Sequence, residues 1–282
     1  MSLLFLFDIP DFASSAVWLS LLTLTFLEIV LGVDNIIFIS IAAGKLPPKE
    51  QKKATNIGLI LAMVMRIVLL FGITVLIGMN KAWFNIDFLG IQAGFTGQSL
   101  ILILGGIFLL YKAVTEIHHK LEGEGHEEIG TSKKSSLSQV IVQITLINIV
   151  FSFDSILTAV GMTNGVYGAL LIMIIAVVFS VLIMMLFAVP VGRFVNEHPT
   201  IQMLGMSFLI LIGFTLILEG AHLAHMTVGG SEVGIIPKGY LYFAIAFSLL
   251  VEFLNMRLRK RHKPVQLKGS TEEAVAEGIL TS

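Results

Sequence analysis

Seven stretches of this chain are apolar for long enough to cross a lipid bilayer, and no other feature restricts its fold as much. They run about 15–43, 54–79, 98–117, 137–162, 166–190, 200–222 and 238–256. A helix rising 1.5 Å per residue needs ~20 apolar residues to span ~30 Å of hydrocarbon. Charged residues make up only 13% of the chain and the mean hydropathy is +0.92, where a soluble domain carries roughly 25% charged residues. Membrane strands would alternate over ~10 residues, and these runs do not. The expected fold is an all-α membrane protein of seven transmembrane helices in contact with the lipid bilayer.

Two of these runs carry acids. One reads Phe26-Leu-Glu-Ile-Val-Leu-Gly-Val-Asp-Asn-Ile-Ile-Phe38, the other Asn148-Ile-Val-Phe-Ser-Phe-Asp-Ser-Ile-Leu157. Aligned, they match Asp34 with Asp154, Asn35 with Ser155 and Glu28 with Asn148. A carboxylate at the bilayer centre costs about 2.5–3.5 kcal/mol even on lenient scales, so acids kept there in matching contexts point to use. Each copy would hold three helices, and an odd number of crossings turns the second copy over. The expected architecture is therefore an inverted repeat, about 15–117 against 137–222, with helix seven at about 238–256 added. Ser99-Leu-Ile-Leu-Ile-Leu-Gly105 echoes Ser207-Phe-Leu-Ile-Leu-Ile-Gly213 and supports the repeat. Transporters built in this way place their sites near the midplane.

Glu28 and Asn35 are two turns apart and share a helix face; the first span is long for one crossing and holds Gly32 between its acids, so a break or tilt is expected there. Asn148 and Ser155 share a face in the matching frame. If the two segments meet, Glu28, Asp34, Asn35, Asn148, Asp154 and Ser155 supply carboxylate, amide and hydroxyl oxygens, a set suited to Mn²⁺, Mg²⁺ or Ca²⁺. The chain has no cysteine, which removes thiolate ligands and leaves Zn²⁺ or Cu⁺ a poorer match. Arg66, the one cation in mid-span, is either a structural counter-ion or a gate. With Glu28, Asp34 and Asp154 it leaves two net negative charges, which one dication or two protons would offset. Glu219 and His222 have the Glu-x-x-His spacing of helical metal sites and mark a possible vestibule, although a satisfied boundary cluster explains them better. The loop from His118 to Glu128 is better read as solvated than as a metal collector, and Glu116 is expected to reach headgroups or water.

Lysine and arginine set the orientation. Lys45, Lys49, Lys52 and Lys53 lie in the first loop, Lys120, Lys133 and Lys134 in the third, Arg193 in the fifth, and a basic run in the tail, against Lys81 and Lys238 on the other side. The N-terminus is expected outside and the C-terminus in the cytoplasm. The membrane domain covers 1–256, and 257–282 is a basic, then disordered, cytoplasmic tail. Pro47-Pro48, Pro190 and Pro199 are expected to punctuate the helices.

The motif Glu28-Ile-Val-Leu-Gly-Val-Asp-Asn35, with Phe151-Ser-Phe-Asp-Ser-Ile156, Gly105-Gly-Ile-Phe-Leu-Leu-Tyr-Lys112 and Pro237-Lys-Gly-Tyr-Leu-Tyr-Phe-Ala244, resembles the TerC family of integral membrane proteins, in its YgdQ/YoaE-like branch. The resemblance implies a seven-helix relative of the LysE transporter superfamily in a bacterial inner (plasma) membrane, divalent metal export (chiefly Mn²⁺) and an association with tellurite resistance. Family members often carry an acid where this chain has Asn148, and some carry one near Thr145.

No ATP-binding Gly-x-x-x-x-Gly-Lys-Ser/Thr run occurs, so transport would draw on an ion gradient, plausibly by proton exchange. No enzymatic activity, required cofactor or nucleic-acid partner is expected, and protein partners stay open. The alternative is a non-transporting membrane scaffold or metal-handling accessory protein.

Overall fold

The computed structural model describes residues 9–72, 75, 79, 81–88, 90–122, 136–163 and 167–259, without the side chains of Leu31, Val33, Asp34, Glu122 and Arg259. Seven helices in it are long and apolar enough to cross a membrane. They are α1 (Ser15–Gly44), α2 (Pro48–Phe71), α3 (Gly97–Glu122), α4 (Leu137–Met162), α5 (Ala169–Glu197), α6 (Pro199–Leu223) and α7 (Lys238–Arg259). The membrane part is all-α and multi-pass, as the seven runs require.

Local chemistry accounts for several helix limits. α2 starts at Pro48, six residues earlier than its apolar run, because proline suits the first turn, where its missing N–H is not needed. Pro199 opens α6 in the same way. α4 begins with a capping box: Ser136 accepts from the Gln139 N–H, and Gln139 accepts from the Ser136 N–H. Of the break or tilt expected near Gly32, the break does not occur: α1 is one unbroken helix. Pro190 does not end its helix; it lies inside α5, which continues to Glu197. The helix continues because one face of this stretch is packed: Ala188, Gly192 and Val195 are buried on it, while Pro190 itself is exposed on the other side.

The helices pack in a definite pattern. α1 runs alongside α5, where Gly32 meets Met184, Ser40 meets Gly192 and Gly44 meets Asn196. α2 runs alongside α4, with Gly58 on Ile144 and Arg66 on Ser152. α3 crosses α6 in the opposite sense, from Ser99 beside Gly220 to Lys120 bonded to Gln202. The crossing is closest at Gly106 and Gly213. A Cβ on Gly106 would sit 2.5 Å from the Gly213 carbonyl oxygen, and one on Gly213 would sit 2.9 Å from that of Gly106. Glycine lets two backbones approach in this way, the usual device for membrane helices that gain nothing from hydrophobic exclusion. α1 also meets α4, where the Phe38 and Phe151 rings stack at 6.1 Å.

Four strands were not expected. β1 (Ala82–Phe88), β2 (Ile91–Thr96), β3 (Thr227–Val228) and β4 (Ser231–Glu232) form one antiparallel sheet in that order. It joins the α2–α3 connection to the α6–α7 connection at one end of the molecule. Gly229 and Gly230, at φ 60° and 83°, make the tight turn between β3 and β4, which L side chains resist. Residues divide into two compact units between Tyr242 and Phe243. In the second, Phe243 stacks on Phe247 along α7 at 6.0 Å.

Candidate functional site: buried ion pairs between the repeated motifs

Near the middle of α1, Glu28 is 3% exposed, and on α2 Arg66 is 5% exposed. Arg66 Nη1 donates to Glu28 Oε2 in a short, direct ion pair. Its Nε donates to Ser152 Oγ on α4 at 3.3 Å. Ser152 in turn donates to the Asn148 carbonyl oxygen at 2.6 Å. One guanidinium thus links α1, α2 and α4. A buried charge is tolerated when it is paired and hydrogen-bonded, and Arg66 has both an ion-pair partner and a hydroxyl acceptor.

Asn35 lies two turns along α1 from Glu28. Its Oδ1 is buried and has no hydrogen-bond partner among the described residues. It borders a small cavity with Arg66, Asn148, Ser152, Met63 and Met184. Asn148 Nδ2 donates to the Ile144 carbonyl oxygen at 2.8 Å, which leaves its amide oxygen uncommitted by that bond. Glu28 borders a second, apolar cavity with Leu24, Leu70, Ile156 and Met173. The first cavity takes a late α1 residue with early α4 residues, and the second takes early α1 with late α4. The two motif helices therefore run antiparallel, and the Glu28–Arg66 pair stands between the cavities.

Asp154 is placed elsewhere. Its Oδ1 accepts from Lys238 Nζ at 2.6 Å, and the same ammonium donates to Thr158 Oγ1 at 2.7 Å. Asp154, Glu219, Thr215 and Lys238 line a third cavity, toward the sheet-bearing end. The expectation of one chamber shared by Glu28, Asp154 and Arg66 is not what the structure shows: Glu28 and Asp154 face different cavities, each against its own cation. Ser155 is buried, but its hydroxyl donates to the Ser152 carbonyl oxygen at 3.1 Å within the helix. Asp34 lies on α1, and its side chain is outside the described residues. Among the described residues no three His, Asp or Glu side chains converge as a metal cluster.

Glu219 faces Asp154 and Lys238. His222 Nδ1 instead lies 3.0 Å from the Val233 carbonyl oxygen and 3.9 Å from Glu232, and His225 lies 3.6 Å from the same carboxylate. Glu116, expected at headgroups or water, is buried and pairs with Lys45 at 2.7 Å. Most of the loop from His118 to Glu128 lies outside the described residues. Lys238, Ser152 and Thr158 were missed because their partners are distant in sequence; the lysine in Pro237-Lys-Gly, isolated next to an apolar run, was the one available signal. At the opposite end, a cavity of about 480 Å³ opens among Ser40, Gln51, Lys52, Thr55, Arg193 and Asn196.

Residues 13–266 match the model of the integral membrane protein TerC family. The chain belongs to the TerC family. It is 46% identical over 248 residues to the UPF0053 inner membrane protein YgdQ of Escherichia coli K12, covering 88% of this chain and 95% of YgdQ. It is 42% identical over 265 residues to the UPF0053 inner membrane protein YoaE of the same strain, covering 92% of this chain and 47% of YoaE. A UPF0053 protein of Haemophilus influenzae is 40% identical over 251 residues, 89% of this chain and 98% of that one. The chain thus spans about half the length of YoaE and nearly all of YgdQ. No solved structure matches. This TerC family member is a multi-pass integral membrane protein.

Proposed function

We propose that this TerC family member is a secondary transporter that exports a divalent metal cation, Mn²⁺ foremost, in exchange for protons. The observation that carries this reading is that each described motif acid holds a cation belonging to the protein: Arg66 on Glu28 and Lys238 on Asp154. A dication arriving at either carboxylate can replace a side-chain cation without leaving the acid uncompensated. Breaking such a buried pair with nothing in return costs about 3–5 kcal/mol. In this arrangement the protein's own charges occupy the acids that a dication would take. Glu28, Asp34, Asn35, Asn148, Asp154 and Ser155 are the proposed metal-handling set, with Arg66 as gate and Glu219 near the exit. His222 then braces the sheet.

Helix pairing supports an inverted 3+3+1 repeat. Exchange of α1 with α4, α2 with α5 and α3 with α6 turns the α1–α5 contact into α4–α2, and α1–α6 into α4–α3, both of which occur. It also maps the α3–α6 crossing onto itself. Two halves facing opposite ways are the usual basis of alternating access. The lysine and arginine bias places the sheet outside and the 480 Å³ cavity at the cytoplasmic mouth.

The test is Mn²⁺ tolerance in cells lacking other exporters. Asp34→Asn or Asp154→Asn should abolish the protection that the wild-type chain confers. Unchanged tolerance at normal expression would sink the proposal. The scaffold reading draws on the same ion pairs, which are satisfied without metal. It predicts no acid-dependent flux in reconstituted vesicles.

A further inference from the structure

We propose that the cavity at the end of the molecule opposite the sheet binds a phosphate ester, carried on an acidic lipid headgroup or on a small soluble molecule. It lies among the last turns of α1 and α5 and the first turns of α2, with a volume of about 480 Å³. It shares no lining residue with the cavities beside Glu28, Asn35 and Asp154, and its case does not rest on the transport reading. Its walls offer donors. Lys52 on α2 and Arg193 on α5 both line it, and neither has an ion-pair or hydrogen-bond partner among the described residues. Lys45, Arg66 and Lys238, by contrast, are each held by an acid. Asn196 accepts from Gln202 through Oδ1 at 3.4 Å, and its amide nitrogen donates to no described residue. Thr55 is 5% exposed, and its hydroxyl makes no hydrogen bond among the described residues. Among those residues only Asn35 Oδ1 is both unpartnered and sealed from open space. The Thr55 hydroxyl therefore reaches open space, and the space that Thr55 lines is this cavity.

The charges fix the sign of the ligand. Glu197 is the one carboxylate in the lining, so with Lys52 and Arg193 the walls carry one net positive charge. The positive end of α2 meets the negative ends of α1 and α5 here, so the helix dipoles largely offset one another and the side chains decide. Two unpaired cations repel a metal dication and attract an anion. The donors stand on two walls, Lys52 and Thr55 on α2, Arg193 and Asn196 on α5. A tetrahedral phosphate turns oxygens to both walls, and a guanidinium fork matches a pair of them. The volume is many times the ~30 Å³ of one water and falls within the roughly 300–1,000 Å³ of small-molecule sites. A bare anion would leave most of it unfilled, so the phosphate is esterified. One net positive charge suits the single negative charge of a phosphodiester. Basic pockets between membrane helices on the cytoplasmic side hold acidic headgroups in this way.

The experiment titrates the full chain, purified in detergent and stripped of lipid, by calorimetry. The ligands are short-chain phosphatidylglycerol, phosphatidylcholine with the same chains, and glycerophosphoglycerol, the soluble headgroup without chains. Lys52→Gln combined with Arg193→Gln should weaken phosphatidylglycerol at least about tenfold, since two charge-assisted contacts are lost. Lys49→Gln combined with Lys53→Gln removes the same charge from exposed positions on α2 outside the lining and should change affinity by no more than about twofold. Thr55→Val, close in shape, should also weaken binding at an unchanged melting temperature. Phosphatidylcholine, which carries no net charge, should bind at least about tenfold more weakly than phosphatidylglycerol. Binding of glycerophosphoglycerol with the same pattern of losses supports the site and makes its ligand soluble. Binding of the lipid alone, with that pattern, supports the site and makes its ligand a headgroup. A lining variant that loses no more than the Lys49/Lys53 control, or a wild type that binds neither ligand, overturns the inference and leaves the transport reading untouched.

Discussion

Arg66 donates to Glu28 on α1 and to Ser152 on α4 at once, so a single guanidinium on α2 joins the two acidic-motif helices. Its neighbours fix what each substitution should do. Glu28→Gln leaves a buried cation without its counter-ion, and Arg66→Met leaves a buried carboxylate without one. Each should cost about 3–5 kcal/mol in denaturant or thermal unfolding of the purified protein. Combining Glu28→Gln with Arg66→Met should recover most of that loss, since residues in direct contact do not act additively. Losses that simply add would show that the pair is not coupled.

Lys238 behaves differently because it is partly exposed, with 30% of its side chain accessible. Removing it as Lys238→Met should change stability by no more than about 1 kcal/mol, as for other solvent-screened pairs. Its effect should appear in metal handling. With the tethered ammonium gone, Asp154 and Glu219 hold an arriving dication longer, so apparent affinity rises and turnover falls. Stopped-flow Mn²⁺ release from proteoliposomes reads both.

The α3–α6 crossing offers a packing test. Gly106→Val places carbon against the Gly213 carbonyl oxygen, where a Cβ alone would stand 2.5 Å away, and backbone cannot yield cheaply. Overpacking of this kind costs about 1–3 kcal/mol or more, and the yield of folded protein should drop. Gly161→Ala, which meets nothing within 4 Å, is the matched control and should behave as wild type in size-exclusion chromatography.

The absence of native cysteine makes the orientation directly testable. Ser231→Cys, in β4, should react with a membrane-impermeant maleimide in intact cells with the outer membrane permeabilised. Glu50→Cys, in the first turn of α2, should react only after the inner membrane is opened. The reverse pattern would invert the assignment and turn export into import.

Much of this molecule was legible in its sequence because its strongest signals are local. Apolar length marks a span wherever the chain later packs, and Pro47-Pro48 and Pro199 mark helix boundaries through effects that act within a few residues. What escaped depends on residues far apart in the chain. Asp154 meets Lys238 and Glu116 meets Lys45 only after the helices assemble, so Glu116 looked like a boundary acid and Asp154 like a partner of Glu28. The sheet was hidden because β1 is rich in aromatic residues, and Trp83 also fits an interfacial belt. β3, with two residues, pairs with a strand that precedes α3. Pro190 misled because it sits on the exposed side of α5, while Ala188, Gly192 and Val195 hold the opposite face of the helix in the bundle.

The central claim is that the motif acids move a dication. Mn²⁺ flux into inside-out vesicles carrying the purified chain tests it most directly. Wild type should accumulate Mn²⁺ when the lumen is acidic. Asp154→Asn and Glu28→Gln, checked for folding, should each reduce the rate at least tenfold, about 1.4 kcal/mol in the barrier. Wild-type flux no greater than that of empty vesicles, or equal flux in the folded variants, would contradict the account.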